Sequence, residues 1–158
     1  MSTTTTPAPE RNTKTLVLDV LSALARFYMA YVWLDAGIAK LGVPLDVTKT
    51  IEAYEIFTPD WSYLLAHIIG PLEVAGGLLL LLGIKLRWSG KVSIIVLTLF
   101  IIGLLSAWQR GLVIDCGCFS PGEGEEGTNL VMTIGRDVGF ILVTLFMIYR
   151  PYRKFALY

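Results

Sequence analysis

The stretch that decides the fold is Trp61-Ser-Tyr-Leu-Leu-Ala-His-Ile-Ile-Gly-Pro-Leu-Glu-Val-Ala-Gly-Gly-Leu-Leu-Leu-Leu-Leu82. It is long enough to cross a hydrocarbon core, which needs ~17–25 apolar residues. Its one acid, Glu73, lies deep inside the run. Three similar runs flank it, at about 16–39, 92–108 and 130–149. The chain is 54% hydrophobic and 16% charged, with mean hydropathy +0.64. A soluble core of this size does not require so much apolar sequence. The expectation is an all-α fold, an integral membrane four-helix bundle over 16–150. A Thr- and Pro-rich tail over 1–15, expected to be disordered, precedes it, and a second tail over 151–158 follows. The first run is too long for the apolar core of a signal peptide, so it reads as a retained span.

Charge sets the expected orientation. Lys85, Arg87 and Lys91 follow the second run, and Arg150, Arg153 and Lys154 follow the fourth, neither group with an acid among them. The connection after the first run carries Asp46, Glu52, Glu55 and Asp60, and the one after the third carries Asp115, Glu123, Glu125 and Glu126. Both termini are therefore predicted to be cytoplasmic. Trp33, Trp61, Trp88 and Trp108 all fall near predicted span ends, as an interfacial belt requires. In the first connection Ile51, Tyr54 and Phe57 recur at helical spacing before Pro59, predicting a short amphipathic helix on the outer side.

The outward-facing third connection holds the chain's only two cysteines, Cys116 and Cys118, with Gly117 between them. Two extended residues span ~6.6–7.2 Å, and a disulfide wants its Cα atoms ~4.4–6.8 Å apart. The pair can bridge only if the backbone bends at Gly117, where no Cβ opposes the bend. Such a small ring belongs with the labile, oxidising disulfides. Asp115 beside the pair disfavours a thiolate, whereas an approaching arginine favours one. Leu112, Val113 and Ile114 carry apolar sequence up to the pair, which predicts that the segment packs onto the mouth of the bundle.

Charges inside spans are costly and usually face inward and pair. Arg26 lies ~15 Å up the first span and Glu73 ~18 Å down the second, counted at ~1.5 Å per residue from opposite ends. These similar depths predict an Arg26–Glu73 ion pair. His67 reads as an interior polar group, and Lys40 as a residue that snorkels to the outer surface. Arg136 and Asp137 sit in the fourth span, where Arg136 is a candidate partner for Asp35 or for the thiols. Gly135/Gly139, Ala66/Gly70 and Gly76-Gly77 offer small-residue spacings for close helix contact.

Taken together, Arg26, Asp35-Ala-Gly-Ile-Ala-Lys-Leu41, Tyr54, Pro71-Leu-Glu-Val-Ala-Gly-Gly77, Cys116-Gly-Cys-Phe119 and Arg136-Asp137 resemble the MauE family of methylamine-utilisation membrane proteins, within the DoxX-like redox-associated membrane proteins. The family usually has glycine where this chain has Ser120. The resemblance implies a four-helix membrane bundle. It also implies an accessory role in the redox or disulfide chemistry of exported proteins.

Two functions of different classes follow. In the first, Cys116 and Cys118 carry out thiol–disulfide exchange, supported by Gly117, Asp115, Arg136 and Asp137. The partner is then an exported thioredoxin-like or disulfide-containing protein, at the outer face of a bacterial cytoplasmic membrane. No second dithiol is present to reset the pair, so a membrane quinone near His67 and Arg136, or a protein partner, has to do so. No other cofactor is implied. In the second, the chain is a structural subunit of a membrane electron-transfer or respiratory complex, and the cysteines form a static staple. Two thiolates are an incomplete shell for copper or zinc, so no metal is expected. Zero net charge gives no footprint for nucleic acid.

Overall fold

The structure is a computed structural model and describes residues 13–112 and 130–150. The Cys116-Gly117-Cys118 segment with Asp115, and residues 1–12 and 151–158 of the two tails, lie outside the described residues, whereas residues 13–15, expected in the disordered tail, open the first helix. Every element within them is a helix: α1 (Thr13–Leu41), α2 (Pro44–Ala53), α3 (Pro59–Leu82), α4 (Leu86–Gln109) and α5 (Leu130–Tyr149). Of these, 4 are long and apolar enough to cross a membrane: α1, α3, α4 and α5. Large apolar side chains such as Leu24, Tyr31, Leu72, Leu99 and Leu142 lie exposed on their outer faces. With the interior also apolar, that pattern suits lipid as the solvent.

Backbone chemistry fixes the connections. Gly83 (φ 72) closes α3 in the left-handed region that glycine enters at no steric cost. Its N–H reaches the Leu80 carbonyl at 3.2 Å, and Ile84 N–H reaches the Leu79 carbonyl at 3.0 Å, a Schellman closure. Lys85 is also left-handed (φ 44), and the chain re-enters helix at Leu86. Gly111 (φ 69) ends α4 the same way, with Leu112 N–H on the Ala107 carbonyl at 3.0 Å. The tight Gly83–Lys85 turn defines one end of the bundle, the hairpin end. The opposite end, the loop end, carries Tyr54 and Gly111.

Several helix bounds differ from the expectation. The span predicted from 92 begins at Leu86, because Arg87 and Lys91 ride on the first turns of α4 instead of lying in a loop. Lys91 Nζ sits 5.2 Å from the centre of the Trp88 ring, an arrangement that keeps a cation at a helix end. The helix expected through Phe57 is displaced toward the N-terminus. Pro44 starts α2, Ala53 ends it, and Glu55 breaks the pattern in the left-handed region (φ 51). Tyr54 is buried, while Ile56 and Phe57 stay exposed.

The backbones of α1 and α3 touch. A Cβ placed on Gly37 would lie 2.7 Å from Val74 N, and one on Gly77 would lie 2.7 Å from Leu34 Cγ. A Cβ on Gly70 would lie 3.5 Å from the Gly37 carbonyl oxygen. This antiparallel register places the end of α1, at Leu41, opposite Gly70. Residues 59–69 of α3 therefore run ~16 Å beyond α1, and α2 packs against α3. Of the small-residue spacings in the sequence, those at Gly70 and Gly77 mediate contact. Gly135 and Gly139 meet no described atom within 4 Å.

Two apolar clusters fill the interior. Met29, Ala30, Val32, Leu80, Phe140 and Met147 form one. Tyr54, Leu104 and Ala107 form the other, with Phe100, Leu112 and Ile134 packed against it near the loop end. Leu112 thus packs onto the bundle, while Val113 and Ile114, the rest of the apolar approach to the cysteines, lie outside the described residues.

Candidate intramembrane polar site

The register of α1 and α3 decides where the buried charges go. Lys40, 8% exposed, directs Nζ to both Glu73 carboxylate oxygens at 2.6 Å. The expected Arg26–Glu73 pair is therefore corrected. Counting depth from the two span ends assumed that the helices start level. They do not, and Arg26 lies ~21 Å along α1 from Lys40. Arg26, 1% exposed, instead donates from Nε to the Leu80 carbonyl at 2.8 Å and from Nη2 to the Leu81 carbonyl at 2.6 Å. These carbonyls belong to the last turn of α3, where no intrahelical donor remains and the helix dipole favours a cation. Arg26 closes a helix; Lys40 carries the interhelical ion pair.

On α5, Arg136 donates from Nη2 and Nε to Asp137 Oδ1 at 3.0 and 3.1 Å. Its guanidinium carbon lies 5.6 Å from the centre of the Phe140 ring. Asp137 is 2% exposed, and its Oδ2 has no hydrogen-bond partner among the described residues. Asp35, considered as a partner for Arg136, is exposed on the opposite side of α1 from the Arg26/Met29/Gly37/Lys40 face.

These two ion pairs share one cavity of about 90 Å³. Lys40, Trp33 and Ala36 of α1 line it, together with Glu73 of α3, Phe100 of α4, and Arg136, Asp137 and Phe140 of α5. The α1 contribution recurs at i, i+3 and i+7, a single helical stripe. Two cations face two anions, so the site is neutral overall yet strongly polar, in a part of the bundle where a charge needs a partner.

The structure thus brings Glu73, Arg136 and Asp137 together and leaves Arg26 elsewhere. Lys40, assigned by sequence to the outer surface, completes the set. Its Gly-Ile-Ala-Lys context, one turn after a glycine that touches α3, was the available signal. Trp33 lines the cavity instead of joining the belt, whereas Trp61, Trp88 and Trp108 are exposed near helix ends. His67 is on an exposed flank of α3, with Nδ1 2.9 Å from the Tyr63 carbonyl, and takes no part in the site. Asp115, Cys116, Gly117 and Cys118 lie outside the described residues. The described residue nearest to them in sequence is Leu112, which packs against the cluster of Tyr54, Leu104 and Ala107; Phe100, which packs against the same cluster, also lines the cavity.

No curated protein and no solved structure matches the chain. The description "Methylamine utilisation protein MauE" matches residues 18–150, which takes in every buried charge described above. The chain, a multi-pass membrane protein, belongs to the MauE family.

Proposed function

We propose that this protein is a membrane accessory to the maturation of exported proteins, acting by thiol–disulfide exchange at Cys116 and Cys118. The observation that carries the reading is the packing of Leu112 against the cluster of Tyr54, Leu104 and Ala107 at the loop end of the bundle. Three residues lie between Leu112 and Cys116, so their Cα atoms are at most ~14 Å apart. Gly117 supplies the bend a bridge requires, and Asp115, Arg136 and Asp137 are the charged groups that tune the thiols. Attack requires a thiolate, and an arginine near the pair favours it. The family's name places its members in methylamine utilisation, a role that an accessory to exported redox proteins would serve.

The proposed orientation has both termini in the cytoplasm of a bacterium and the cysteine segment on the outer face of the inner membrane. Lys85, Arg87, Lys91 and Arg150 cluster at the hairpin end, where Arg150 also pairs with Asp19 at 3.7 Å. Glu55 and Asp60 lie at the loop end. That asymmetry supports the orientation.

Trapping tests the chemistry. Cys116→Ser or Cys118→Ser, expressed in the native membrane, should accumulate a reductant-sensitive mixed disulfide with an exported protein, because the resolving thiol is gone. If neither variant captures a partner and the wild-type pair resists reduction, the exchange reading fails.

A second reading, as a subunit of a larger membrane assembly, is favoured by Asp35. This carboxylate lies ~9 Å before the end of α1 and faces away from the bundle. A lipid-facing charge is costly without a partner. Asp35→Leu should leave the isolated protein as stable as wild type in detergent while reducing its co-purification with neighbouring membrane subunits. Unchanged co-purification would remove the support Asp35 gives to this reading.

A further inference from the structure

We propose that the cavity between α1, α3, α4 and α5 binds the headgroup of a membrane quinone. The inference does not depend on the cysteines: binding and exchange can fail separately. Three observations converge. The cavity's about 90 Å³ exceeds several-fold the ~10–15 Å³ that one water needs, so the polar groups are not sealed against each other. Asp137 Oδ2 is a buried acceptor without a donor among the described residues, and it belongs to a residue that lines the cavity. Buried polar atoms rarely stay unpaired. Finally, Trp33, Phe100 and Phe140 provide aromatic surface beside the charges.

The pairing of charges narrows the ligand. Lys40–Glu73 and Arg136–Asp137 each put a donor next to an acceptor. A quinone has two carbonyl oxygens that accept hydrogen bonds from Lys40 and Arg136. The reduced quinol has hydroxyls that donate to Glu73 and to Asp137 Oδ2. A lone anion or cation would meet a neutral site and an opposing charge at either pair. A planar, uncharged ring that accepts in one oxidation state and donates in the other suits both pairs. Such a ring on an apolar tail is the form in which a membrane supplies it.

The probe is a short-tailed benzoquinone bearing a photoreactive azide, added to the full-length protein in lipid nanodiscs. Labelled residues are mapped by mass spectrometry. Labelling is expected at Trp33, Phe100 or Phe140, displaced by unlabelled decyl-benzoquinone and not by decanol, which carries the tail alone. Asp137→Asn, and the double variant Lys40→Met/Glu73→Leu, should each weaken displacement about tenfold, the worth of one charge-assisted hydrogen bond. Equal displacement by decanol, or labels scattered over lipid-facing residues such as Leu72 and Leu99, would overturn the proposal. So would affinity unchanged in both variants, which would leave water as the occupant. If a variant fails to fold, the wild-type competition decides alone.

Discussion

Glu73→Leu should destabilise the bundle by ~3–5 kcal/mol, because it leaves Lys40 buried with no counter-charge. Lys40 is 8% exposed, and among the described residues its hydrogen bonds go to this one carboxylate. Its route to water is obstructed, since α3 continues past the end of α1 and α2 packs against α3. The double variant Lys40→Met/Glu73→Leu should recover most of the loss. Replacing both members of a buried pair by apolar groups of similar size is often neutral or stabilising. Unfolding in a detergent titration, followed by helical circular dichroism, separates the cases. A single variant as stable as wild type would mean that the ion pair does not hold α1 to α3.

Gly37→Val should be the most damaging uncharged substitution in α1. A Cβ there would stand 2.7 Å from Val74 N, 2.8 Å from Val74 Cγ2 and 3.0 Å from Glu73 Cβ. Backbone atoms cannot rotate away as a flexible side chain does, so one helix has to move. Overpacking of this kind costs ~1–3 kcal/mol, and here the displacement also separates Lys40 from Glu73. Gly135→Ala is the control. It meets no described atom within 4 Å, and alanine is the better helix former by ~1 kcal/mol. The same titration should show a clear loss for the first and none for the second. Equal behaviour would mean that α1 and α3 do not approach so closely.

These two residues also show how far the sequence could be read. Length and hydropathy were enough to find the four spans, because lipid imposes a single requirement on every residue of a run. Charge at helix ends was misleading in one place. Arg87 and Lys91 looked like loop residues and belong to α4, since a cation is comfortable on a first turn at the membrane surface. Pairing between spans was not legible. Depth can be counted along each helix, but the offset between helices is set by the Gly37/Gly70/Gly77 contact. Gly37 has no glycine four residues away in its own helix to draw attention to it, so the offset and the Lys40–Glu73 pair stayed hidden together. Lys40 resembled a snorkelling residue for the same reason: it is one residue from the end of α1, but α1 ends well short of α3. Arg136 and Asp137 were legible as a polar pair. Their convergence with Lys40 and Glu73 in one cavity depends on four helices and could not be.

The halt of α1 opposite Gly70 has a mechanical consequence. Below that level, two backbones in van der Waals contact lock against sliding and rolling, so the half toward Gly83 is a stiff pedestal. Above it, α3 stands free of α1 and has the short α2 alongside, which makes the upper half the compliant part. The buried ion pair sits at the seam, where a small tilt of the crown against the pedestal would open or shut the space around it.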